Sequence, residues 1–139
     1  GVVLAGRVAA GSILGAGLAA VPADRRFYAG GGGSVRGYAF QGVGPRDAAG
    51  VPTGGLSFAE TSVELRVKVS ERFGIVPFID AGTVSQAAFP NFSNVQFGAG
   101  LGIRYLTPFG PLRIDAGIPL NPRPGDPSFG VYAGIGQSF

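Results

Sequence analysis

Residues 59–70 alternate without a break: Ala59, Thr61, Val63, Leu65, Val67 and Val69 on one side, Glu60, Ser62, Glu64, Arg66, Lys68 and Ser70 on the other. A period of two held over this length specifies an extended strand with one apolar and one polar face, because successive strand side chains point to opposite sides. The pattern returns downstream. Ile75, Pro77, Ile79 and Ala81 oppose Phe78, Asp80 and Gly82; Phe97, Ala99, Leu101, Ile103 and Tyr105 oppose Gln96, Gly98, Gly100, Gly102 and Arg104. Leu112, Ile114, Ala116, Ile118 and Leu120 then oppose Arg113, Asp115 and Gly117. At the end, Phe129, Val131, Ala133, Ile135 and Phe139 oppose Gly130, Tyr132, Gly134, Gly136 and Ser138. With a weaker period at 2–12, where Arg7 opposes Leu4 and Val8, the chain is expected to hold about six strands. Each comes near the roughly 9–11 residues that cross a bilayer at a tilt.

Alternation alone also fits a soluble β-sandwich. Charged residues make up only 14% of the chain, however, against about 25% in ordinary soluble domains. The polar faces carry Arg, Glu, Asp and Lys opposite aliphatic faces, which suits lipid outside and a polar lumen inside. Connections are long after the first, third and fifth strands and short after the second and fourth, as in barrels with long extracellular loops and short periplasmic turns. The fold class expected is therefore all-β, an antiparallel transmembrane barrel. Six strands do not close alone, since about eight are the usual minimum. A larger barrel, or several copies sharing one, is implied.

Histidine and cysteine are both absent, which removes thiol chemistry, disulfides, Cys/His metal sites and His-based acid–base catalysis. No enzyme, metal or cofactor is expected. The net charge of +3 is scattered and forms no stripe for nucleic acid. Residues 8–21 superficially resemble a signal-peptide core, but the charge at Arg7 follows six uncharged residues, and a strand reading fits better.

Between the first two strands lies a long connection, about 18–55, whose centre is the glycine-dense stretch 26–38, with Arg36 set between Val35 and Gly37. Glycine admits positive φ and close backbone approach, while a cation carried into the interior needs a counter-charge. Gly30 to Ser34 spells a common flexible-linker sequence. Its setting between Tyr28-Ala29 and Val35-Arg36-Gly37-Tyr38 argues against that reading, and it lacks the ending of a phosphate-binding loop.

Residues 25–31 followed by Ser34-Val35-Arg36-Gly37-Tyr38 closely resemble the loop-six signature of the bacterial surface antigen family, outer-membrane β-barrels that insert or translocate other proteins. Phe78-Ile79-Asp80-Ala81-Gly82 resembles the family's Phe-x-Asp-x-Gly strand, 110–115 its penultimate strand, and 132–139 an outer-membrane targeting signal. Within the family, 41–47 with Gly54-Gly55 is most similar to the translocation and assembly module, the TamA branch. The resemblance implies the last six of sixteen strands, usually preceded by periplasmic POTRA domains, and a location in the bacterial outer membrane. It also implies a loop folded into the barrel and anchored by Val35, Arg36, Gly37 and Tyr38. Asp80 and Glu64 are then the expected partners of Arg36, Phe78 and Tyr38 pack around the ion pair, and Gly82 leaves room for the loop backbone.

Tyr132, Gly134, Gly136 and Phe139 are expected at a weak seam between the first and last strands of the barrel. The implied function is non-enzymatic protein insertion or translocation. Its partners would be outer-membrane lipid, unfolded outer-membrane or secreted clients, and a periplasmic partner anchored in the inner membrane. A two-partner secretion transporter, or a short self-assembling porin-like barrel that homo-oligomerises, are the alternatives.

Overall fold

A computed structural model of the chain describes residues 1–136. It is a single antiparallel sheet whose strands lie side by side in chain order: β1 (Val2–Ser12), β2 (Ser57–Lys68), β3 (Phe73–Ser85), β4 (Gln96–Thr107), β5 (Gly110–Pro119) and β6 (Gly130–Ile135). β1 to β5 run 10 to 13 residues, enough for tilted strands to cross a bilayer, which takes about 9–11. β6, with six residues, is shorter than the alternation predicts. At Gly136 the backbone turns to φ +93°, which ends the extended geometry. Phe139, expected as the end of the targeting signal, lies outside the described residues.

The register fixes which side chains share a face. On one face each strand exposes an aliphatic residue, for example Leu4, Val63, Ile79, Leu101, Ile114 and Val131. No second sheet covers this face among the described residues, and a continuous apolar band of this extent suits lipid rather than water. The other face carries Arg7, Glu64, Asp80, Arg104, Asp115 and Tyr132, and the β1–β2 loop packs onto it.

That loop, residues 13–56, is held together by its own backbone pairs at Phe27–Gly55, Ala29–Val43 and Arg46–Pro52. Arg26 clamps its stem, donating to the carbonyls of Val21 (2.9 Å), Thr53 (2.9 Å) and Leu18 (3.0 Å). Ala29, Val35, Tyr38, Val43 and Val84 form a small apolar cluster, with Phe58 against it. Loop and wall thus meet in two layers, one apolar and one charged.

Candidate functional site: an arginine enclosed by the strand wall

The charged layer is built around Arg36, which is 1% exposed. A guanidinium has five N–H donors in a fixed plane, and all five are engaged. Nε and Nη2 bind Asp80 Oδ2 and Oδ1 at 2.7 and 2.9 Å, a two-point contact. Nη1 donates to Glu64 Oε2 at 2.7 Å and to Asp115 Oδ2 at 3.0 Å, and Nη2 also donates to Ser62 Oγ at 3.1 Å. The Arg36 backbone N–H adds a bond to Asp80 Oδ2 at 3.0 Å. Beneath the guanidinium lies the Phe78 ring, 3.6 Å from Cζ to the ring centre, a cation–π contact in a site shielded from water.

One loop side chain therefore binds polar groups of three strands, Ser62 and Glu64 on β2, Asp80 on β3 and Asp115 on β5. Burial by itself would lower the pKa of Arg36. Hydrogen bonds and attraction from Asp80, then Glu64, outweigh it and raise the value above that of a free guanidinium.

The wall carboxylates are shared with further arginines. Arg66 Nε donates to Glu64 at 3.0 Å, Arg104 Nη1 to Asp115 at 2.6 Å, and Arg104 Nη2 stands 3.6 Å from Glu64. A network in which two of the three buried carboxylates, Glu64 and Asp115, meet more than one guanidinium is costly to break at any member.

Close approach of the loop depends on glycines in the wall. A Cβ at Gly98 would fall on the Arg36 carbonyl oxygen, and one at Gly117 would stand 3.1 Å from the Gly37 nitrogen. Gly37 itself has φ +103° and its missing Cβ would meet the Ile118 carbonyl at 2.7 Å, so the loop residue after the arginine is glycine for both conformation and space. Gly82 serves differently from the expectation. It makes room for the Val35 side chain, 2.7 Å from where its Cβ would be, while Gly98 and Gly117 admit the backbone.

Tyr38 also departs from expectation. It belongs to the apolar cluster with Val35 and Val84 rather than to the ion pair. Its hydroxyl lies 2.8 Å from the Phe97 carbonyl and 2.9 Å from Asn121 Oδ1, and burial pushes its pKa up. Tyr132, expected at the seam, reaches the loop: its hydroxyl accepts from Gly37 N–H at 3.0 Å and donates to the Tyr38 carbonyl at 2.9 Å. Gly134 lies on β6 beneath the Arg113 guanidinium, and Gly136 follows the strand with open space around it.

A second set of contacts ties the loop to the β5–β6 connection. Arg46 pairs with Asp126 and donates to the Gly42 and Pro124 carbonyls, while Arg123 donates to the Gly42 and Gly44 carbonyls. Burial, then repulsion from Arg46, holds the Arg123 pKa below its ordinary value.

Sequence reasoning brought Arg36, Asp80, Glu64 and Phe78 to one place, and the structure gathers all four. It missed Ser62, Asp115 and the glycines Gly98 and Gly117. Their signal was their parity: each falls on the polar, inward side of its strand.

Comparison with known proteins agrees with this architecture. The whole chain, residues 1–139, matches the Omp85 superfamily domain. The outer membrane protein assembly factor BamA of Nitratidesulfovibrio vulgaris (strain Hildenborough) is 35% identical over 144 residues, covering 99% of this chain. The chain spans only 18% of that relative's length. The crystal structure of Haemophilus ducreyi BamA lacking POTRA domains 1–3 superimposes with a TM-score of 0.72 over 92% of this chain and 30% of that one, at 24% identity, a likeness of fold. An antiparallel sheet with an apolar outer face, an arginine loop enclosed on its inner face and a whole-length family match lead to one assignment: the chain belongs to the Omp85 superfamily of bacterial outer-membrane β-barrels.

Proposed function

We propose that this chain is the loop-bearing wall of a non-enzymatic factor that inserts β-barrel proteins into the outer membrane or translocates proteins across it. The observation that carries the reading is the enclosure of Arg36 by Asp80, Glu64, Asp115 and Ser62, in a chain similar to the outer membrane protein assembly factor BamA. A loop fixed in this way braces β2 to β5 as one body. β6, short and rich in glycine, is held less firmly, and its outer edge offers unpaired backbone groups to which a client strand can add by β-augmentation. Val35, Arg36, Gly37 and Tyr38 anchor the loop in this scheme, and Asp80, Glu64, Phe78 and Gly82 receive it. No covalent step or nucleotide is required; client folding and burial of its apolar face in lipid drive the process.

Within the superfamily, residues 41–47 support the TamA branch. In the structure these residues contain the Arg46 latch to Asp126. A TamA-like factor is expected to co-purify with a periplasmic partner anchored in the inner membrane.

The test is reconstitution of the native protein, isolated from outer membranes, into liposomes presented with an unfolded outer-membrane barrel. Faster client folding than in empty liposomes is the expected result. Client folding at the empty-liposome rate, with ion conductance through the protein, would replace this reading with a porin-like barrel.

A further inference from the structure

β4 and β5 set Arg104 and Arg113 directly opposite each other. Like charges in such a pair repel, and the two side chains part. Arg104 turns to Asp115 and Glu64. Arg113 goes the other way, across β6: its partner there in register is Gly134, and a Cβ at that position would stand 3.1 Å from Arg113 Nη2 and 3.8 Å from Cζ. Glycine at 134 thus leaves a path for the guanidinium toward the outer side of β6, the last strand of this sheet.

Among the described residues Arg113 is poorly matched. Its nearest carboxylate, Asp115, is 3.7 Å away and is already taken by Arg36 at 3.0 Å and Arg104 at 2.6 Å. Nε and Nη1 of Arg113 are buried without a hydrogen-bond partner among the described residues. Buried charged donors left in this state are unfavourable, and an acceptor brought to them is bound with charge assistance.

We propose that Arg113 is a specificity-determining residue that receives an aspartate or glutamate from a client strand paired with the free edge of β6. The carboxylate is carried at the inward-facing position opposite Gly134. Neighbouring strands are about 4.8 Å apart, so the client residue lies two spacings, roughly 10 Å, from Arg113 along the sheet. An arginine extended over a glycine and a carboxylate side chain span that gap between them. The inference rests on the insertion reading and names the chemistry its clients supply.

The experiment uses the native protein in liposomes with three versions of one client barrel, carrying Asp, Asn or Lys at the inward position of the strand that joins β6. Wild type is expected to assemble the Asp client roughly tenfold faster than the Asn client, the factor of about one charge-assisted hydrogen bond. Arg113→Gln removes the difference, and Arg113→Glu reverses the preference toward Lys. Equal rates for all three clients in wild type, or an Asp preference that persists in Arg113→Gln, overturn the proposal while leaving insertion standing. A uniform slowing of every client by Arg113→Glu overturns it too and assigns Arg113 to the barrel's own closing strand. Failure of wild type to assemble any client instead removes the insertion reading and this inference with it.

Discussion

The inner wall has two flanks that hold the same loop by different physics. On β2, β3 and β5, the loop is fixed by charge: one arginine, three buried carboxylates and a serine hydroxyl. On β6 it is fixed by one neutral hydroxyl, that of Tyr132, bridging Gly37 and the Tyr38 carbonyl. Net neutral hydrogen bonds contribute about 0.5–1.5 kcal/mol each, whereas stripping one partner from a buried ion pair costs about 3–5 kcal/mol. The difference teaches where the wall can yield. A strand held by the weaker type of bond, with six paired residues rather than ten, is the one expected to separate first while the loop stays on its charged seat.

The strongest way to break this contrast is Arg36→Ala. It leaves Glu64 and Asp115 buried beside Arg66 and Arg104, and Asp80 buried beside Ser62, without their central cation, and should cost about 3–5 kcal/mol. Proteolysis of the loop in the folded native protein is the measurement. Rapid cleavage within residues 13–56, with the strands still resistant, is expected. Arg36→Lys should recover only part of the protection, because one ammonium cannot engage Asp80 at two points and still reach Glu64, Asp115 and Ser62. A fully protected loop in Arg36→Ala would mean that the apolar cluster around Tyr38 is the real anchor.

Steric blockade separates charge from fit. Gly98→Val keeps every ion-pairing group but puts a side chain onto the Arg36 carbonyl. The penalty expected for such overfilling is about 1–3 kcal/mol, read by the same proteolysis. Gly33→Ala is the comparison: a Cβ there meets nothing within 4 Å and the backbone is not in the left-handed region, so protection should be unchanged. Equal sensitivity of both variants would show that the space Gly98 leaves for the Arg36 carbonyl is not what seats the loop.

The strands were legible because alternation is a local property, and β2 to β5 carry it over ten residues or more. Arg36, Asp80, Glu64 and Phe78 could be brought together only through family resemblance, since nothing in spacing says which inward residue a loop 30 or 40 positions away will touch. Asp115 lies in the 110–115 motif, but its partnership with Arg36 is not legible there, because it depends on β5 lying two strands from β3, a fact of sheet order. Gly98 and Gly117 read as breaks in a polar face. They are gaps shaped for backbone, which becomes visible only when the loop is in place. The position of Tyr132 in the last strand points to a seam; its hydroxyl bonds to the loop are legible only from the register that brings β6 beside β5.

The smallest effect expected is the one that sharpens the contrast most. Tyr132→Phe keeps the ring against Gly32 and removes only the hydroxyl, leaving the Gly37 N–H and the Tyr38 carbonyl to find water. A loss of about 1–2 kcal/mol follows from two neutral bonds. The loop should remain protected, because Arg36 still holds it, while amide exchange along β6 should quicken. In Arg36→Ala the loop has already left, so adding Tyr132→Phe should change β6 exchange little. Non-additivity of that kind is the mark of two residues acting through one shared element. If the two substitutions instead quicken β6 exchange additively, Tyr132 stabilises β6 by its own packing, and the loop and the edge strand are independent parts.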